Sequence, residues 1–203
     1  MSFKQIKAEI TSFSTDYFKA NVEQKLCYHN LNHTKDVLKA AWKMIRHYHL
    51  NDQDEFIIYA AVWFHDLGYV NSPNEHEQYG AKIAGDYLAK YALQKEIILA
   101  IQNCILATIV PQIPGNLLGK IVCDADLFHL GTKKFKKKNK LLFKEYNDSN
   151  DIKITKQDWR NRTILFLEEH QFQTDFCRDL LEEQKQFNLS RLKKKFSQLE
   201  LMT

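Results

Sequence analysis

The chain has 203 residues, 44% hydrophobic and 27% charged, with a net charge of +4. That length suits one domain with a sizeable core, and the composition is that of a globular protein, not a disordered or fibrous one. So modest a charge makes no case for nucleic acid, and no apolar run approaches the roughly 18 residues that span a bilayer.

Residues 1–7 run straight into an amphipathic polar segment with no secretory leader in view, so a cytoplasmic location is the expectation. Cys27, Cys104, Cys123 and Cys177 are scattered and form no C-x-x-C pair. They argue against a disulfide framework or a thiolate zinc site, and each is expected as a small buried hydrophobe.

Few glycines and prolines predict helices nearly throughout. The first spans about 2–19 and the second about 30–49, with Val37, Leu38, Ala41, Trp42 and Ile45 at the spacing of one helical face. A third runs from Asn51 or Asp52 to about Leu67, where Gly68 is a natural stop. Residues 71–74 form a turn. Helices over about 75–91 and 94–109 follow, then breaks at Pro111 and Pro114-Gly115. A helix over about 116–130 carries Asp124 and Asp126. The lysine-rich stretch 133–147 is expected helical, 147–151 a polar loop, and helices over 155–170 and 174–198 finish the chain. No strand is expected. The fold class is all-α, a single multi-helix domain over 1–203, with a core at 25–131 and an extension at 132–203 packed on it.

The chemistry-bearing residues lie within that core. His65-Asp66 ends the apolar run Ala60-Ala61-Val62-Trp63-Phe64, where an unpaired carboxylate is costly unless paired, neutralised or bound to metal. Taken alone the dipeptide reads as structural before functional, His65 meeting the helix dipole and Asp66 capping the following turn. His29 and His33 are four apart, so both imidazoles share a face if that stretch is helical. Asp124 and Asp126 point different ways, so one can line a cavity while the other faces solvent or caps. Imidazoles with hard carboxylates suit Mn, Fe, Co, Ni, Zn or Mg rather than a soft thiolate site.

The ordered set His33, His65-Asp66, Asp126 resembles the HD superfamily of metal-dependent phosphohydrolases, defined by His … His-Asp … Asp on an all-helical scaffold. The surrounding words agree: Tyr28-His29-Asn30-x-x-His33-Thr34, Phe64-His65-Asp66-Leu67-Gly68, and Asp124-Ala125-Asp126-Leu127. The tail, with Trp159, Phe166, Leu167 and His170, is similar to those of small bacterial HD-domain proteins. The resemblance implies a divalent metal held by His33, His65, Asp66 and Asp126. It also implies a phosphoester hydrolase whose Asp66 belongs to the catalytic centre. The Tyr-His-Asn-x-x-His wording is similar to class I cyclic nucleotide phosphodiesterases, which implies His29 as general acid. His is suited to that task near pH 7.

His76-Glu77-x-x-Gly80-Ala81 resembles a segment that supplies a second-metal His in the HD-GYP subfamily. The next His-His pair of that subfamily is missing, since the stretch reads Ala107-Thr108-Ile109-Val110-Pro111. His76 and Glu77 are therefore either a second-metal or substrate contact, or ordinary helix-start residues. Tyr69 is a candidate ligand contact, and Trp42 and Trp63 are expected in the core. The run from Lys133 to Lys140 reads as a solvated helix face or as electrostatic steering for phosphate anions.

The expected substrate is a small phosphorylated molecule, a nucleotide, cleaved as a monoester or a cyclic diester. The alternatives are a catalytically silent nucleotide sensor using the same site and, weakest, a basic nucleic-acid-binding module. No membrane partner is expected, and the oligomeric state is open.

Overall fold

A computed structural model describes residues 1–21 and 26–200, with side chains of the last helix described through Lys194. The described chain is helical with no strand, as its Gly- and Pro-poor composition predicts. It forms two compact units, Met1–Leu127 and the residues from Phe128 onward.

The first unit is organised around α3 (Asp52–Phe64). Phe56, Ile57, Ile58, Ala60, Ala61, Val62, Trp63 and Phe64 are all buried, and a helix apolar on every side has to sit inside. Accordingly α1 (Phe3–Asn21), α2 (Leu31–His47), α4 (His76–Leu88), α5 (Lys95–Leu106) and α6 (Leu117–Asp126) all pack against it. The Asn51 side chain caps α3 by accepting from the backbone N–H of Gln53 and Asp54. Asn116 caps α6 in the same way through Gly119. Each such cap satisfies helix N–H groups that have no partner within the helix.

Several predicted boundaries move. The second helix begins at Leu31 because Asn30 is extended and caps it, accepting from Asn32 and His33 N–H. His29 therefore lies outside the helix, and the shared-face argument for His29 and His33 does not hold as stated. The third helix stops at Phe64, not Leu67, and the chain continues as a tight 3-10 turn over Leu67–Val70. The sixth ends at Asp126, followed by a second 3-10 turn over Leu127–Gly131.

The second unit contains α7 (Phe135–Ser149), α8 (Lys156–Glu169) and α9 (Asp175–Glu200). α7 runs through residues expected as a polar loop. Thr155 and Asp158 form a reciprocal capping box that starts α8.

Cys104, Cys123 and Cys177 are buried, whereas Cys27 is only half-buried, because it lies in the turn before α2 rather than on a packed face. Trp63 is in the core and Trp42 is half-buried. Among the described residues no helix is long and apolar enough to cross a membrane.

Candidate metal centre

Two helix ends, of α3 and α6, and two helix starts, of α2 and α4, meet in the first unit. His33 lies on the buried stripe of α2 with Thr34, Val37, Ala41 and Ile45, so the periodicity that packs the helix also turns this imidazole inward. His65 is the C-cap of α3 and Asp66 follows it. The last turn thus lets two adjacent residues address one point, which a continuing helix would hold about 100° apart. Asp126 closes α6. Asp124 is fully buried and does not face solvent, because α6 is enclosed by α2, α3 and α5.

His33 Nε2, His65 Nε2 and Asp66 Oδ2 lie within 4.8 Å of one another, and all three residues are buried. His33 Nε2 is 3.3 Å from Asp66 Oδ2, and His65 Nε2 is 3.2 Å from the same oxygen. Asp126 Oδ1 joins them, 3.0 Å from His33 Nε2 and 3.8 Å from His65 Nε2. Donors about 2.1 Å from a shared divalent ion stand roughly 3.0 Å apart at right angles and roughly 3.4 Å apart in a tetrahedron. Three of the four spacings, 3.0, 3.2 and 3.3 Å, fall in that window, and the 3.8 Å between His65 and Asp126 is wider.

Hydrogen bonding agrees with that geometry. His65 Nδ1–H donates to the Val62 carbonyl at 2.8 Å, which turns Nε2 toward the cluster, where a cation that displaces its proton would meet the lone pair. His65 Nε2 and Asp66 Oδ2 are buried without a hydrogen-bond partner among the described residues. Buried polar atoms are normally satisfied, and two orphans converging on one point are what a cation would satisfy.

The charges are poised to match. Burial opposes a charge on His65, but Asp66 and Asp126 outweigh it and hold the imidazole well above the usual histidine range. Burial likewise opposes ionisation of Asp66 and Asp126. The neighbouring imidazoles of His65 and His33 nevertheless hold both carboxyls well below the usual carboxylate range. Anionic carboxylates and imidazoles crowded in a dry site favour a positive charge between them.

His76, the first residue of α4, repeats the His65 pattern. Its Nδ1–H donates to the Pro73 carbonyl at 2.9 Å, and its Nε2 stands 3.9 Å from Asp66 Oδ1 and 3.3 Å from Glu77 Oε1. Asp66 thus presents one oxygen to His33 and His65 and the other to His76. His29, although not helical, has its ring 5.9 Å from that of His33 and 5.9 Å from that of His76. Tyr69 stacks on it at 3.9 Å between centroids, with the rings 18° apart.

The sequence reading overlooked two features. Tyr28 is buried and packs its ring 4.6 Å from that of His33. The sequence marks Gly68 as a helix stop and Gly80 as motif wording, but both are sites of backbone contact. A Cβ on Gly80 would stand 2.7 Å from the Phe64 carbonyl oxygen and 2.9 Å from that of His65. One on Gly68 would stand 2.1 Å from the His76 carbonyl oxygen. The available signal was a glycine inside a helical pattern, which marks a close approach. Lys133 is exposed and belongs to the second unit, just before α7.

The family model of the HD domain matches residues 30–131. Among solved structures, the chain is similar to one described as a "predicted HD superfamily hydrolase" from an uncultured Thermotogales bacterium. The TM-score is 0.60 at 18% identity, covering 95% of this chain and 92% of that one. A search of curated proteins finds no significant match. The matched family segment contains His33, His65, Asp66 and Asp126.

Proposed function

The chain belongs to the HD domain family, and from that premise we propose that it is a metal-dependent phosphohydrolase acting on a small phosphorylated molecule, a nucleotide. One observation carries the reading: donor atoms of His33, His65 and Asp66 converge in a buried cluster where two of them make no hydrogen bond. In this reading His33, His65, Asp66 and Asp126 hold a divalent cation. When bound, the cation lowers the pKa of a water toward neutrality and polarises a phosphoryl oxygen.

The protein's own residues supply the rest. His29, a few ångströms from the ligand ring of His33 and backed by Tyr69, donates the proton that the leaving oxygen needs. Stacking on Tyr69 restricts the His29 ring, which reduces the ordering cost of that step. His76 and Glu77, beside Asp66 Oδ1, hold a second cation, or His76 alone contacts a substrate phosphate. His29 serves equally for a monoester or a cyclic diester.

The test is release of inorganic phosphate from nucleoside monophosphates, and of nucleoside monophosphate from cyclic nucleotides, with Mn, Co, Ni and Mg supplied in turn. Bound metal is measured alongside. His33→Ala and Asp66→Ala should lose metal and turnover together, whereas His29→Gln should keep metal and lose turnover. Activity surviving His33→Ala and Asp66→Ala would sink the mechanism. Metal binding without turnover on any member of the panel would favour a nucleotide sensor.

A further inference from the structure

The lysine run does more than wet a helix face. α7 buries Phe135 and leaves Phe143 half-buried, and together with α8 and α9 it lines a cavity of about 310 Å³. That volume lies at the lower end of small-ligand sites. The walls are apolar and aromatic, with Phe135, Phe143, Trp159 and Leu192 facing the space. No carboxylate is among the lining residues.

The neutral polar groups there are largely spent within the protein. Trp159 Nε1–H donates to Asn139 Oδ1 at 2.9 Å, so the indole is left as an apolar wall. Asn188 Nδ2 donates to the carbonyls of Leu130 and Thr132, and its Oδ1 accepts from Gln184. What remains to offer a ligand is positive charge. Lys136, Lys140, Lys156 and Arg191 all line the cavity, and none of the four pairs with a described carboxylate. Residues 128–203 hold 17 Lys and Arg against 11 Asp and Glu.

Like charges gathered at one mouth repel one another, and a polyanion relieves that repulsion. A single carboxylate would answer only one of the four cations, while inorganic phosphates would leave the aromatic walls unused. A flat apolar ring joined to several negative charges uses both. We propose that this cavity is a second ligand site, for a nucleoside di- or triphosphate, distinct in its residues from the metal centre and independent of it.

The test is calorimetric titration of the full chain with ATP in excess EDTA, which strips divalent metal and so silences the hydrolase reading. Saturable binding of one ATP is expected, unchanged by Asp66→Ala. AMP and inorganic tripolyphosphate should each bind at least about tenfold more weakly, since each lacks charge-assisted contacts or the ring. Lys140→Glu with Arg191→Glu should weaken ATP by at least about tenfold. Lys137→Glu, the same reversal of charge at one exposed neighbour outside the cavity lining, should change it by less than about twofold. Melting curves check that the variants fold, and the single changes Lys140→Gln and Lys156→Gln, with smaller losses, replace the double reversal if it does not.

No heat of binding at millimolar ATP would overturn the proposal, as would loss of binding in Asp66→Ala. Tripolyphosphate binding as tightly as ATP would remove the nucleoside from the assignment. A single-stranded oligonucleotide that displaces ATP, with Lys137→Glu as damaging as the cavity pair, would make the surface a nucleic-acid face instead.

Discussion

Replacing Gly80 by alanine should disturb the candidate metal centre without touching a proposed ligand. The new Cβ would lie 2.7 Å from the Phe64 carbonyl oxygen and 2.9 Å from that of His65, against an ordinary contact that begins at 3.4 Å. The helix must therefore retreat by about 0.5–0.7 Å. Both opposing atoms are backbone in a fully packed turn, so neither can swing aside. Overpacking of this kind costs about 1–3 kcal/mol, and the better helix propensity of alanine returns about 1 kcal/mol.

Gly85 on the same helix is the control. Its Cβ would meet the Gln102 Nε2 at 2.6 Å, the end of a flexible side chain whose bond to the Ala81 carbonyl is 3.0 Å. Losing that bond costs about 1 kcal/mol, which the propensity gain offsets. Gly85→Ala should thus be close to neutral and Gly80→Ala destabilising by up to about 2 kcal/mol, a difference of up to roughly 8 °C in Tm for a chain of this size. Paired melting curves with and without divalent metal read it, and Gly80→Ala should also bind metal more weakly because it displaces His65. Equal shifts in the two variants would refute the backbone-contact account.

Further outcomes follow from the same geometry. Divalent metal should raise the Tm of the parent chain and leave that of Asp66→Ala unmoved, since a ligand stabilises only what binds it; equal shifts in differential scanning fluorimetry would count against the four-residue site. Asn30→Ala removes the cap of α2, which accepts from Asn32 and His33 N–H. It should cost about 1 kcal/mol in urea unfolding and weaken metal binding through His33. Burial pushes the Cys104 thiol from 9.0 up to about 12. A raised folded-state pKa means its contribution is complete below pH 9 and is lost as pH climbs toward 12, by up to about 4 kcal/mol. Urea midpoints should therefore fall more steeply above pH 9 in the parent chain than in Cys104→Ala, and parallel slopes would refute this. Alkylation of the native protein at pH 8 should label half-buried Cys27 well before the three buried thiols, as peptide mapping would show.

Much of the fold could be read in one dimension. The run from Phe56 to Phe64 has no polar face, so it had to be the centre of the first unit. Asn51, Asn116 and Thr155 stand where helices begin because their side chains satisfy backbone N–H groups within three residues. The order His33, His65-Asp66, Asp126 was legible as well, since a motif is a property of spacing. Tertiary structure decided what spacing cannot carry. Asn30 took the cap position and left His29 outside the helix, yet stacking on Tyr69, forty residues away, keeps its ring near that of His33. Backbone contact at Gly80 depends on where α4 crosses α3. The state of the His65 ring depends on a carbonyl one turn back, and the opposite edges of Asp66 face imidazoles from separate elements. Local pattern sets which residues form a helix and which face turns inward, because those forces act within a turn or two of the chain. Ligand distances, orphaned atoms and shifted charges arise only when separate segments close to within a few ångströms. That is why His65-Asp66, ambiguous as a dipeptide, becomes a metal-suited cluster only in the folded chain.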